Sequence, residues 1–338
     1  MKRDSNISNV IRTAYDELLV NDKAFYDVQP NNLKKGLFID PFISSAKAQK
    51  VESFIHQYDG SNNDKIISVS DVFCQKLYAI CCVSAKLLIV GGVLKDEHNG
   101  NLITDLNYHI TKKSFKEIVK ESEKYLRKQM KIAENGDKDF SDKIICDILN
   151  CANQYIGNSD LNLKIAQIVT TSAIKMLILH EYFHIINKDT EQTSIDERKR
   201  QEKKADIDAF NRLKEKENNI ASYVGAICLQ SSGLFLNVSL ESITHPDVDN
   251  RIEYIYDICD QEEEGRIIFR DVLKLYVNLW ARINKKGTDF LRECKDTTPK
   301  KIFDFLKKEK ARQNHKRLEE GRKEMKERTK MIVEPKYL

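Results

Sequence analysis

The chain has 338 residues, 41% hydrophobic and 32% charged, with a formal net charge of +4 at pH 7. That length can bury a sizeable core, and with only 12 Gly and 5 Pro the composition is globular and rich in helix. The charge is too slight to name a partner by itself. The opening Met1-Lys2-Arg3-Asp4-Ser5-Asn6 is polar with no apolar run behind it, so no secretory signal is expected. The two most apolar stretches, Leu77–Leu94 and Ile165–Ile186, are interrupted by Lys86 and Lys175. Charge at mid-span is costly in lipid, so both read as buried helices and no membrane span is expected. Eight cysteines show no CxxC spacing and lie mostly among apolar residues, which points to a reducing compartment, the cytoplasm.

Taken in chain order, Val10, Ile11, Ala14 and Leu18 follow a helical period, ahead of turn-rich Asp27–Lys35 and a short apolar run, Gly36–Ile43. Residues 59–64 have loop composition, and Ile66–Val69 predicts a short strand. Ser70 or Asp71 can cap a helix running to Val90, stopped by Gly91-Gly92. Residues 95–110 predict a loop or hairpin, 114–133 a charged amphipathic helix, and 142–155 a further short helix. From Leu161 an apolar helix runs for more than five turns and ends at Asn187-Lys188-Asp189-Thr190. Ser194 with Glu197 three residues on is a capping box for a helix to Glu217. Helical segments are also predicted over Ala221–Leu236, from Pro246 through Ile252, Ile255 and Tyr256, and over Ile267–Ile283. In the second of these, Pro246 takes the first position, with Asp247 and Asp249 in the first turn.

The chemistry concentrates in His180-Glu181-Tyr182-Phe183-His184. Residues four apart share a helix face, so His180 and His184 can bind one zinc ion, with Glu181 about 100° away as general base. Two histidines and a glutamate at the end of an apolar helix are unwelcome there without such a role. In the next helix Glu202, Asp206, Ala209 and Leu213 form one stripe. Glu202 is the candidate third ligand, with Glu191 and Glu197 as alternatives. Asp206 can accept the free ring N–H of His180 or His184, and Ala205 would let the two helices approach. His245 can stabilise an oxyanion or merely cap a helix; Arg251 can pair with a carboxylate near the site or sit on the surface.

The order HEYFH, QEKKADIDA, AICLQSS, THPDVDNRI resembles a known family. The first, second and fourth elements are similar to the HExxH, ExxxD and THPxxxxRI series of gluzincin peptidases, the third to the Lit-type phage-exclusion peptidases. The likeness spans roughly Lys65 to Leu279. It implies zinc ligands His180, His184 and Glu202, Glu181 as base, Asp206 behind the ligands, and His245 and Arg251 in support. It further implies a defence protease, silent until a phage-derived activator appears, that cleaves host elongation factor Tu. Residues 1–60 and the tail after Lys300 resemble nothing placed by this likeness.

Together these readings predict a mainly α (α+β) fold: a zincin-like helical metallopeptidase domain over 65–290 with a small β element. An N-terminal region, 1–64, would precede it and a basic helical tail, 291–338, would follow. The expected function is zinc-dependent endoproteolysis of a host protein. Two other readings stand beside it, a regulatory metallopeptidase cleaving a repressor or antitoxin and a non-catalytic zinc-containing interaction module. Residues 300–338 hold 14 Lys/Arg against 7 Asp/Glu, with few apolar residues beyond Ile302, Phe303, Phe305 and Leu306. The tail is therefore expected to add little to the core and to recruit an acidic partner. Its mixed charge disfavours a nucleic-acid role.

Overall fold

The computed structural model describes residues 6–28, 53–57, 65–69, 71–95, 101–104, 108–134, 159–189, 193–217, 220–236, 240, 246–259, 263–284 and 298–333. The helix expected at 142–155, the loop at 59–64, Glu191 and His245 lie outside them. In chain order the elements are α1 (Asn6–Asn21), α2 (Lys23–Val28), β1 (Ser53–Gln57), β2 (Lys65–Val69), α3 (Asp71–Val90), β3 (Val93–Lys95), β4 (Leu102–Thr104) and α4 (Lys112–Glu134). Then follow α5 (Ser159–Ile186), α6 (Ile195–Glu217), α7 (Ile220–Leu236), α8 (Val248–Cys259), α9 (Glu263–Ile283) and α10 (Pro299–Val333). The fold is mainly α, as expected from composition, and among the described residues the strands form two antiparallel pairs, β1–β2 and β3–β4.

A helix that is apolar all round has to be surrounded. Helix α5 is such a helix: α7, α6, α3 and α1 pack on its sides. Helices α3 and α5 are each long and apolar enough to cross a membrane, but both are wrapped by other helices, and every residue from Phe73 to Ile89 is buried. The two lysines that interrupt them are neutralised internally. Lys86 pairs with Glu121 of α4, and Lys175 pairs with both Glu17 of α1 and Glu217 of α6. The pairing has a physical necessity, because an ammonium buried without a counter-charge is strongly destabilising. All five described cysteines, Cys74, Cys81, Cys82, Cys228 and Cys259, are free and buried.

One apolar core runs through both ends of the chain. Val10, Ile11, Ala14 and Leu18 of α1 enter it as their helical period requires, and Phe25 of α2 lies 5.2 Å from the ring of Tyr182. Buried Asp22 caps α2 through the Phe25 N–H at 3.1 Å and takes Arg212 of α6 on both oxygens, each at 2.6 Å. Burial pushes the Asp22 carboxyl up, but the Arg212 guanidinium outweighs it and holds the group below its usual 3.8. At the other end Ile302, Phe303 and Leu306 of α10 are buried. Beyond Leu306 no described residue joins the apolar core, as expected, but the helix makes polar contacts that the sequence reading did not foresee. Lys310 lies within 3.0 Å of Asp247 and 2.8 Å of Asp249, and the Gln313 carbonyl accepts the Leu240 N–H at 3.2 Å. Those contacts are polar and distant in sequence, so an apolar count misses them.

The approach of α5 to α7 depends on Gly225. A Cβ there would fall 2.7 Å from the Ala173 backbone nitrogen and 2.9 Å from the Ser172 carbonyl carbon, atoms that cannot swing aside. Gly225→Ala is therefore expected to destabilise the protein by about 1–3 kcal/mol, the usual cost of overpacking, read as a fall in thermal midpoint. The Asp22–Arg212 pair gives a pH test. A depressed carboxylate stabilises above its unfolded value and loses that contribution as pH falls through the folded one. The thermal-midpoint gap between wild type and Asp22→Asn is thus expected to be full at neutral pH and to close below 3.8.

Candidate metal centre

The site forms where the last turns of α5 meet the first turns of α6. Four-residue spacing stacks His180 over His184, and Ser194 starts α6 by accepting the Glu197 N–H at 3.2 Å. Only half of the expected capping box forms, since the Glu197 carboxylate pairs instead with Arg200 at 3.0 Å. Glu197 is not part of the group of converging ligand atoms, which is His180, His184 and Glu202. Glu202, two turns along α6, faces them, and fully buried Ala205 sits beside it at the helix contact.

Three ligand atoms converge. His180 Nε2 and His184 Nε2 are 3.1 Å apart, and Glu202 reaches His180 Nε2 at 3.3 Å and His184 Nε2 at 3.6 Å through its two oxygens. Zinc–ligand bonds of about 2.0–2.1 Å in a tetrahedral site place neighbouring ligand atoms about 3.3–3.4 Å apart, so these separations suit such an ion. The proton inventory agrees. His180 Nδ1 lies 2.9 Å from Asp206 Oδ1, and His184 Nδ1 lies 2.8 Å from Asp189 Oδ2. A carboxylate at Nδ1 selects the tautomer that carries hydrogen there, which leaves the lone pair on Nε2. Two Nε2 lone pairs and a carboxylate then face one another, acceptors all, and a cation is the group that satisfies them.

The electrostatics carry the same preference for positive charge. Burial alone would push His180 down, but Asp206, then Glu202 and Glu181, hold it well above 6.5. At His184 burial and its neighbour His180 push down, while Glu202 and Glu181 push up and prevail. Glu181, the expected general base, is buried on the same turn of α5.

Asp206 has no exposed surface. Arg251 of α8 engages both its oxygens, Nη2 to Oδ1 at 2.7 Å and Nε to Oδ2 at 2.9 Å, and Gln230 of α7 donates to Oδ1 at 3.0 Å. The Tyr254 hydroxyl donates to Oδ2. Burial pushes the Asp206 carboxyl up, yet Arg251 and His180 pull it well below the usual carboxylate range. Tyr254 is raised well above 10 by burial and by Asp206, so it stays a donor. Of the two expected roles for Arg251, carboxylate partner and surface residue, the structure selects the first. His245 lies outside the described residues.

Sequence reasoning missed Asp189, Gln230 and Tyr254. Asp189 is delivered by the helix stop itself. Lys188 adopts a left-handed φ of 56°, the Lys188 N–H reaches Ile185 O at 3.2 Å, and the Asp189 N–H reaches His184 O at 3.1 Å. This is the Schellman arrangement, and it folds Asp189 back over the last turn onto His184. Such a turn is usually marked by glycine, and here lysine hides it. Tyr254 lies one turn beyond Arg251 on α8, a spacing that could have flagged it.

The histidine pair and the carboxylate, on adjoining helices, form a group that could hold a metal ion. The chain matches the family model described as Peptidase U49 over residues 93–269, just over half its length, and it belongs to that family of peptidases. The matched segment begins at β3 and ends inside α9, so it contains every side chain of the site. No curated protein and no solved structure matches the chain.

Metal affinity distinguishes these residues. Glu202→Ala is expected to abolish stoichiometric zinc uptake and Glu197→Ala to leave it unchanged, measured by metal analysis of the purified variants. Asp189→Ala is expected to weaken zinc about 10–100-fold, as loss of a ligand's hydrogen-bond partner does, while Lys188→Gly, which suits the turn, retains wild-type affinity.

Proposed function

We propose that this peptidase is a zinc-dependent endopeptidase of the cytoplasm, with His180, His184 and Glu202 as the metal ligands. The observation that carries the reading is the convergence of two Nε2 atoms and the Glu202 carboxylate, each imidazole backed by a carboxylate at Nδ1. Three protein ligands with a buried glutamate alongside favour a catalytic site over a structural one, which four protein ligands would close. When bound, zinc supplies Lewis acidity, making water a stronger acid and a carbonyl a better electrophile.

The chain's own groups do the rest. The Glu181 carboxylate accepts a proton as water adds to the scissile carbonyl, then passes it to the amide nitrogen that leaves as an amine. His245 is assigned to the oxyanion that forms as the carbonyl is attacked. Asp206 and Asp189 keep the Nδ1 hydrogens in place throughout, so neither imidazole rotates away or changes tautomer. Arg251 and Tyr254 hold Asp206 ionised.

The substrate proposed is a host translation factor such as elongation factor Tu, cleaved in phage defence after a phage-derived activator appears. Membership of a peptidase family and the resemblance of the motif order to Lit-type peptidases support this reading. Glu181→Gln tests the chemistry. It is expected to keep the fold and stoichiometric zinc while losing cleavage and any toxicity to a bacterial host. Full activity in that variant would overturn the mechanism. Mapping new protein termini after inducing wild type and Glu181→Gln in parallel tests the substrate. Wild-type-specific termini in elongation factor Tu are expected, and termini confined to a repressor or antitoxin would transfer the site to that regulatory role.

A further inference from the structure

Asp249, in the first turn of α8, is a carboxylate with no exposed surface. Lys310 Nζ of α10 lies 2.9 Å from one of its oxygens and 2.8 Å from the other. The same ammonium lies 3.0 Å from Asp247 Oδ2, and the second Asp247 oxygen is 3.5 Å from Lys199 Nζ on α6. One lysine thus joins the N-terminal end of α8 to the C-terminal helix, and a second ties that end to α6 just ahead of Glu202. A further link runs through Leu240, whose N–H donates to Gln313 of α10 and whose carbonyl accepts the Val248 N–H at 3.0 Å.

What α8 presents explains why its position matters. Arg251 lies two residues beyond Asp249, Tyr254 lies one turn further, and both hold Asp206 against His180. Helix α8 has only 12 residues, so a slide or rotation at its N-terminal end would be carried to both side chains. The helix dipole already favours Asp247 and Asp249 at that end, so a lysine is not required to start the helix. It is required to neutralise a buried carboxylate, and its origin on α10 fixes where the helix sits.

We propose that Lys310 is a positioning residue for the metal centre: through Asp249 and Asp247 it holds α8 where Arg251 and Tyr254 clamp Asp206 onto His180 Nδ1. The support comes from outside the family-matched segment, which ends at residue 269. The inference rests on the proposed metal site.

The test is zinc affinity of the full-length protein, measured by competition with a chromophoric chelator. Lys310→Met is expected to bind zinc about ten-fold more weakly, the low end for losing an outer hydrogen-bond partner, and Lys310→Arg to recover most of the loss. Leu306→Ala, which trims a buried apolar anchor of the same helix, is expected to lower the thermal midpoint while keeping wild-type affinity. Should Lys310→Met fail to fold with Asp249 uncompensated, the variant combining Asp247→Asn, Asp249→Asn and Lys310→Met removes the charges together and is expected to show the same loss. Wild-type affinity in the folded Lys310 variants overturns the inference and leaves the metal site standing. An equal loss in Leu306→Ala also overturns it, since any loosening of α10 would then suffice. A wild-type protein that takes up no zinc overturns the metal-site reading and this inference with it.

Discussion

An ionised carboxylate removed from water costs several kcal/mol unless the protein solvates it, and Asp206 is removed completely. Its solvation is assembled from three other helices: His180 from α5, Gln230 from α7, Arg251 and Tyr254 from α8. The mutual placement of four helices is therefore written into one side chain's requirements. The dependence runs both ways. With Arg251 on both oxygens, Asp206 keeps its negative charge 2.9 Å from His180 Nδ1. His184 is served differently. Its partner Asp189 sits on the turn that ends α5 and depends on local backbone geometry rather than on other helices.

The same helix that carries the histidines also organises the core, and the two tasks are separated along its length. Between Ile165 and Leu179 α5 is buried on nearly every side, and contact with α7 is close enough there to require Gly225. From His180 onward the polar chemistry begins. Lys175, five residues earlier, pairs with carboxylates from both α1 and α6, and Arg212 anchors α6 to the α1–α2 junction through Asp22. Helix α6 is thus pinned at its C-terminal end by the N-terminal helices while its N-terminal end forms the site. Rigid pinning at one end suits a helix that must hold Glu202 within a few tenths of an ångström at the other.

How much of this was legible in the sequence depended on whether the signal was local. The span of α3, its stop at Gly91-Gly92, the short β2 strand, and the start of α6 at Ser194 follow from period and capping, and they form as expected. The pairing of Glu202 and Asp206 with the histidines was legible because a carboxylate stripe on an inward helix face needs a partner. Pro246 was expected at the first helical position. Helix α8 instead begins at Val248, because Asp247 supplies the carbonyl that receives the Arg251 N–H at 3.0 Å. Asp189 stayed hidden because lysine occupies the left-handed position where glycine would have announced the turn. Gln230, Tyr254 and Lys310 stayed hidden for another reason: contacts between residues 24 to 63 positions apart leave no trace in a local period.

Charge balance explains why so many carboxylates surround two histidines. Glu181 and Glu202 act directly on both imidazoles, while Asp206 and Asp189 hold their Nδ1 atoms. Arg251 engages one of these four carboxylates, Asp206, on both oxygens. The group is therefore built for added positive charge at Nε2. A proton and a divalent cation compete for those same lone pairs, so the carboxylates that raise both histidines would also favour an ion that displaced their protons. Removing any one carboxylate weakens both claims together, but not equally. A proton needs one lone pair, whereas an ion needs two imidazoles and Glu202 at the same instant. Geometry decides between them, and geometry here is what the clamp on Asp206, the turn at Lys188 and the anchoring of α6 and α8 provide.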